Sequence, residues 1–181
     1  LSDDQHIGFS SRLGPMERGA SPKVAGTGLR VPRSEIIDQA NLDEHGDIYR
    51  EDDRRIQFKR ANRLWHTDMS FYANRATYSV LSAVEVPPVG ADTEFSDMRC
   101  VYDALDQPMK ERIDDLVVEH SYWHSRKAGG APEPTDEERQ TRPPARHPLV
   151  HVHEGSGRKA LYIASHATHI VGWPEDEGRA L

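Results

Sequence analysis

From Thr77 to Val86 the chain alternates with a period of two, placing Tyr78, Val80, Ser82, Val84 and Val86 on one face. A helix would scatter these residues around its axis, so the run predicts a strand with one buried face. Pro87-Pro88-Val89-Gly90 then turns the chain, and the fold has to be one that accommodates a sheet. The flanking stretches read differently. Ser2 followed by Gln5 is spaced as a capping box, and Ile7, Phe9 and Leu13 give the short helix it opens a mostly buried face, ended by Gly14-Pro15. Glu17 to Arg33 reads as loop, Glu35-Ile36-Ile37 as a short strand, and Asp43 to Asp47 as a polar turn. The dense charge from Arg50 to Arg60 predicts a solvent-facing segment.

Asp97 is placed to cap a helix carrying Val101 and Leu105. A second helix follows, with Pro108 in its first turn and Met109, Ile113, Leu116 and Val117 as a core stripe. His120 to His124 reads as a strand. Lys127 to Pro148 holds two Gly, five Pro and many charges, which predicts a mobile loop or lid. Leu149 to Ile163 reads as a hairpin around Glu154-Gly155-Ser156-Gly157, with His151 and His153 on one face. His166 and His169 are spaced for one face of a helix.

The 181 residues suffice for one domain with a core, although a hydrophobic fraction of 36% is low for one. Missing core strands or a long mobile loop would each account for that. A net charge of −7 argues against a nucleic-acid partner, which calls for a basic surface. No apolar run approaches the roughly 18 residues of a membrane span. Cys100 is the only cysteine, so no internal disulfide can form, and a cytoplasmic setting with an inert thiol is expected.

Leu64-Trp65-His66-Thr67-Asp68-Met69-Ser70-Phe71 carries the chemistry. The stretch reads as a strand end, and in a strand the side chains of His66 and Asp68 leave on the same face. One imidazole nitrogen and one carboxylate oxygen are two of the three ligands of a 2-His-1-carboxylate iron site. By itself, His-x-Asp is also what an ordinary surface strand carries.

LWHTDMSF, followed by YSVLSAVEVPPVGADTEF, resembles the Fe(II)/2-oxoglutarate-dependent dioxygenases of the taurine dioxygenase and 2,4-dichlorophenoxyacetate dioxygenase family. That family has a WH[TS]D-x-[ST]F motif followed by a G-[GA]-D-T turn, here Gly90-Ala91-Asp92-Thr93, with Thr93 standing 25 positions after Asp68. Phe9 to Glu17, Asp97 to Leu105 and His147 to Leu181 extend the likeness, and the last two are most similar to the alpha-type chlorophenoxyacetate branch. The resemblance implies a mainly β fold with flanking helices, a double-stranded β-helix or jelly roll incomplete at the C-terminus, with residues 1–181 forming part of a dioxygenase domain. It implies that His66 and Asp68 bind iron and act as the catalytic centre, that Thr93 hydrogen-bonds a carboxylate of 2-oxoglutarate, and that His153 contacts the substrate. The distal His and the Arg for 2-oxoglutarate fall beyond Leu181, so the chain reads as an internal fragment.

The implied cofactors are Fe(II), 2-oxoglutarate and dioxygen. The implied substrate is a small anionic organic acid, foremost an aryloxyacetate such as 2,4-dichlorophenoxyacetate, giving a phenol, glyoxylate, succinate and CO2. Lys23, Arg30 and Arg33 are candidate cations for it, and Trp65, Phe71 and Tyr72 would build a dry shell. A taurine, sulfonate or alkyl sulfate dioxygenase, a zinc hydrolase using the other histidines, and a non-catalytic jelly-roll module stay open, as does a homo-oligomer.

Overall fold

A computed structural model describes residues 1–18 and 30–181, so Lys23 lies outside the described residues. Two units are formed, Leu1–Ile56 with Thr77–Asp92 and Gln57–Ala76 with Thr93–Leu181.

In the first unit, α1 (Asp3–Ser10) has the expected box, Ser2 Oγ accepting from the Gln5 amide and Gln5 Oε1 from the Ser2 amide. None of its residues is buried, which corrects the expected inward face. Asp43 Oδ1 accepts from the amides of His45 (2.8 Å) and Asp47 (2.9 Å), and a Leu42–Ile48 bridge closes this turn. Residues 35–37 form no strand. Thr77 to Val86 forms none either, and Tyr78, Leu81, Val84 and Val86 stand exposed. An alternating run becomes a strand only when its amides and carbonyls meet a partner ladder. The described residues supply none. Arg30 and Arg33 are engaged by Asp38 and Asp4.

The second unit begins within α2 (Arg54–Arg60), which buries Phe58. Ala61, in the 3-10 turn Ala61–Arg63 that follows, is buried as well, so this charged segment has an inner face after all. Next come α3 (Met98–Ala104), capped by Asp97, and α4 (Gln107–Ile113), capped by Asp106 with Pro108 in its first turn. β1 (Val117–His120) pairs antiparallel with β2 (Ala145–Pro148) on one side and β5 (Ala167–Ile170) on the other. β3 (Val150–Val152) and β4 (Lys159–Leu161) form the expected hairpin. Tyr102, Ile113, Val118, Leu149, Val150 and Ile170 pack as one core, and Phe58, Phe71, Tyr122, Trp123 and Ala131 as another.

The strand expected through His124 stops at His120. Ser121 caps α5 (Tyr122–Ala128), its hydroxyl accepting from the His124 amide, and a short polar side chain at that position favours a helix start over continued strand. Within 127–148 lie α6 (Asp136–Thr141), opened by a Thr135–Glu138 capping box, and β2. His166 and His169 belong to β5 and its approach, not to a helix; α7 (Glu175–Ala180) comes later. Among the described residues, no helix is long and apolar enough to cross a membrane.

Alternation along β1 turns Val118 and His120 inward, so an imidazole occupies a core position. Its ring lies 5.4 Å from His147 and 5.2 Å from Tyr162, with Nδ1 3.1 Å from Ser70 Oγ. His147 donates from Nε2 to the carbonyls of Ser70 and Tyr72. Burial, and next the neighbouring His147, push the His120 pKa from 6.5 down to about 4. The unfolded chain therefore binds the extra proton, and stability present above about pH 6.5 is lost as pH falls towards 4. The loss should reach about 3 kcal/mol. Urea unfolding of His120→Phe should show a flatter dependence between these pH values than wild type; an unchanged slope would remove His120 as its cause.

Candidate metal centre

The functional pair is set up by the chain that leads into it. The Leu64 amide donates to Ala61 O (3.1 Å), closing the 3-10 turn, and Leu64 itself is extended with φ −79° and ψ 145°. His66 lies on this unpaired segment and Asp68 in the turn that follows at once, so the expected strand end is not formed. Met69 adopts φ 59°, a left-handed conformation that costs a non-glycine residue about 1–2 kcal/mol. That turn leaves Asp68 Oδ1 3.3 Å from His66 Nε2.

His66 Nδ1 lies 2.6 Å from Leu64 O. A carbonyl only accepts, so Nδ1 carries the hydrogen and Nε2 is the nitrogen that could take a metal. Holding the remote ring nitrogen in this way is how proteins orient metal-ligating histidines. Hydrogen bonding to Asp68 raises the His66 pKa, with burial acting the other way. Nε2 and Oδ1 are the two atoms that would share a divalent ion. The separation also suits two adjacent ligands on one ion, about 3 Å apart for bonds of about 2.1 Å. The residues therefore fit a metal, as two of its ligands. Among the described residues, no group of three or more His, Cys, Asp or Glu side chains could hold an ion.

The pair is buttressed from the sheet. The Ser165 amide donates to Trp65 O (3.0 Å), and the Ser121 amide donates to His166 O (2.8 Å). The His166 ring, 2% exposed, stands edge-on to His66 at 6.1 Å and to Phe71 at 4.9 Å. Burial, then the charges of Arg126 and His66, push its pKa down to about 4, so it is neutral near pH 7. Phe71 is buried against Tyr122 and Tyr72, whereas Trp65 is 58% exposed and closes nothing off.

The other sequence candidates stand apart. Thr93 is exposed in an irregular segment and has no hydrogen bond among the described residues. His153 is exposed in the turn after β3, its Nδ1 3.0 Å from Ser156 Oγ, while His151 packs on Tyr162. The histidines of the zinc alternative, His151, His153, His166 and His169, form no group that could hold a metal among the described residues. Cys100 is exposed beside Arg158 and Asp97. The neighbour that the motif did not reveal is His166, since nothing in its local sequence distinguishes a buried buttress from a surface residue.

A His-x-Asp pair in contact, its imidazole held by a carbonyl, defines a candidate non-haem metal centre. All of residues 1–181 match the family described as taurine catabolism dioxygenase TauD, TfdA family, and the chain belongs to it. The alpha-ketoglutarate-dependent 2,4-dichlorophenoxyacetate dioxygenase of Cupriavidus pinatubonensis is 43% identical over the whole chain, which spans 63% of that protein. The counterpart from Burkholderia sp. is 42% identical, with 61% of it spanned. A crystal structure of AAD-2 in complex with Mn(II) and N-oxalylglycine superposes with a TM-score of 0.83 at 39% identity, covering 99% of this chain and 61% of that one. The chain thus spans a little over three fifths of the relatives it matches.

Proposed function

We propose that the full-length protein is an Fe(II)- and 2-oxoglutarate-dependent dioxygenase that hydroxylates an aryloxyacetate such as 2,4-dichlorophenoxyacetate. The observation that carries this reading is the 43% identity to a 2,4-dichlorophenoxyacetate dioxygenase along the entire chain, against 32% for a sulfate ester dioxygenase of Pseudomonas putida. Residues 1–181 would form part of one double-stranded β-helix domain, with the third iron ligand in the part of the relatives' length that this chain does not span. Fe(II) with 2-oxoglutarate would supply oxidative decarboxylation to succinate and CO2, coupled to hydroxylation of the bound acid by dioxygen.

This chain's residues then have separate tasks. His66 and Asp68 hold the ion, and the Leu64 carbonyl keeps the imidazole turned towards it. The Thr93 hydroxyl donates to a carboxylate oxygen of 2-oxoglutarate, and the His153 imidazole meets the substrate carboxylate. Both side chains are exposed, so both can take a ligand. Phe71 and His166 exclude water from one side of the ion. Hydroxylation beside the ether oxygen of an aryloxyacetate gives a hemiacetal that collapses to a phenol and glyoxylate. A reducing cytoplasm suits both Fe(II) and the exposed Cys100.

The test is a substrate panel on the full-length protein with Fe(II) and 2-oxoglutarate. 2,4-Dichlorophenoxyacetate should release a phenol and succinate in equal amounts; turnover of taurine or an alkyl sulfate alone would move the protein to another branch. Thr93→Ala should raise the KM for 2-oxoglutarate roughly tenfold, the worth of one charge-assisted hydrogen bond. An unchanged KM would remove Thr93 from the site.

A further inference from the structure

The turn that carries Asp68 consists of two interlocked bends, the Ser70 amide donating to Thr67 O (3.4 Å) and the Tyr72 amide to Met69 O (3.0 Å). His147, a buried residue of β2, meets the carbonyls of both closing residues, with Ser70 O 2.9 Å and Tyr72 O 3.0 Å from its Nε2. Carbonyls only accept, so this nitrogen carries its hydrogen and shares it between the two. From β1, the His120 ring meets the Ser70 hydroxyl at 3.1 Å, and Ser70 is itself buried. The two histidines reach the turn together because they face inward on paired strands, with their rings 5.4 Å apart. The turn calls for such a hold. Met69 sits at φ 59°, and a non-glycine residue stays in that region only where its surroundings over-determine it. His66 is held from the other side, through Leu64 O on its ring and the Ser165 amide on Trp65 O. Separate sets of contacts thus reach the two residues of the centre.

We propose that His147 is a positioning residue of the metal centre, its Nε2–H fixing the turn at residues 68–72 so that the Asp68 carboxylate stands where it can share an ion with His66. The proposal rests on the reading of His66 and Asp68 as metal ligands given above. Removing the donor leaves two carbonyls without it, one of them in the interior, which is costly. The turn then relaxes around Met69, and Asp68, the residue before it, moves away from His66 Nε2. His66 stays, because Leu64 O still holds its ring. The consequence differs between metals. Mn(II) is best suited by carboxylate oxygen and Ni(II) by imidazole, so a displaced Asp68 costs Mn(II) more than it costs Ni(II).

The experiment measures Mn(II) binding to full-length protein from the electron paramagnetic resonance signal of the free ion, and Ni(II) binding by calorimetry. His147→Phe keeps a ring against His120 and Tyr162 but has no donor; it should weaken Mn(II) roughly tenfold and Ni(II) no more than about threefold. His147→Gln, whose amide nitrogen can stand where Nε2 stood, should bind both ions near the wild-type level. A general loosening of the segment would move the imidazole too and weaken both ions by the same factor. That result overturns the proposal, as does unchanged affinity in His147→Phe, or a His147→Gln variant no better than His147→Phe. Should His147→Phe not fold, His147→Leu is put through the same titrations; if neither folds while His147→Gln does, the hydrogen bonds serve the fold and the proposal falls. Asp68→Ala is titrated alongside. Mn(II) affinity that responds to Asp68→Ala but not to His147→Phe refutes the proposal alone, whereas affinity unchanged in Asp68→Ala refutes the metal centre and the proposal with it.

Discussion

His66→Ala or Asp68→Ala in the full-length protein is expected to abolish Fe(II)-dependent turnover, with a loss well beyond a hundredfold. The scale follows from the outer partners of metal ligands, whose removal alone costs about 10–100-fold. Either substitution leaves fewer protein donors than an ion of this kind needs. Both side chains are partly exposed, with relative exposures of 26% and 54%, so folding should change by no more than about 1 kcal/mol. Thermal unfolding measured alongside turnover separates loss of the ion from loss of the fold. Turnover near the wild-type rate in either variant would sink the metal assignment.

Gly129→Ala is expected to damage the fold and the metal centre together, although it lies at the end of α5, far along the chain from His66. The backbone there, φ −78° and ψ 0°, is open to alanine, so no conformational strain is involved. The obstacle is space: an added Cβ would stand 2.6 Å from Ala61 Cα and 2.7 Å from Ala61 N. Ala61 is itself buried, and its backbone cannot swing aside as a long side chain would. Overpacking of this kind costs about 3 kcal/mol. Any shift of Ala61 passes through its hydrogen bond to Leu64, whose carbonyl orients His66, so Mn(II) affinity should fall roughly tenfold as well. Gly130→Ala is the contrast. A Cβ there meets open space at φ +89°, so only a backbone cost of about 1–2 kcal/mol is expected, with metal affinity intact. Unchanged stability and affinity in Gly129→Ala would mean that α5 does not brace the segment.

The sequence made the local devices legible, because each is written within a few residues. Ser2 with Gln5, the Asp97 cap, Pro108 and the hairpin around residues 154–157 all appear as read. That His66 and Asp68 come together was legible for the same reason, since the two lie only two residues apart. Long-range terms were not legible. Thr77 to Val86 has the pattern of a strand, but pairing depends on a ladder that its own residues cannot supply. His120 and His166 read as polar, and their burial comes from strand alternation and from packing against Tyr162 and Phe71. Arg126 falls between a stretch that reads as strand and one that reads as loop, and only its contacts with Phe58 and Asn62 reveal where it goes.

The most direct measurement is the stoichiometry and affinity of Fe(II) binding to anaerobic full-length protein, wild type beside His66→Ala and Asp68→Ala. One ion per chain in wild type, lost in both folded variants, is the expected result. Binding that survives in both variants would put the metal elsewhere and contradict the centre described at His66 and Asp68.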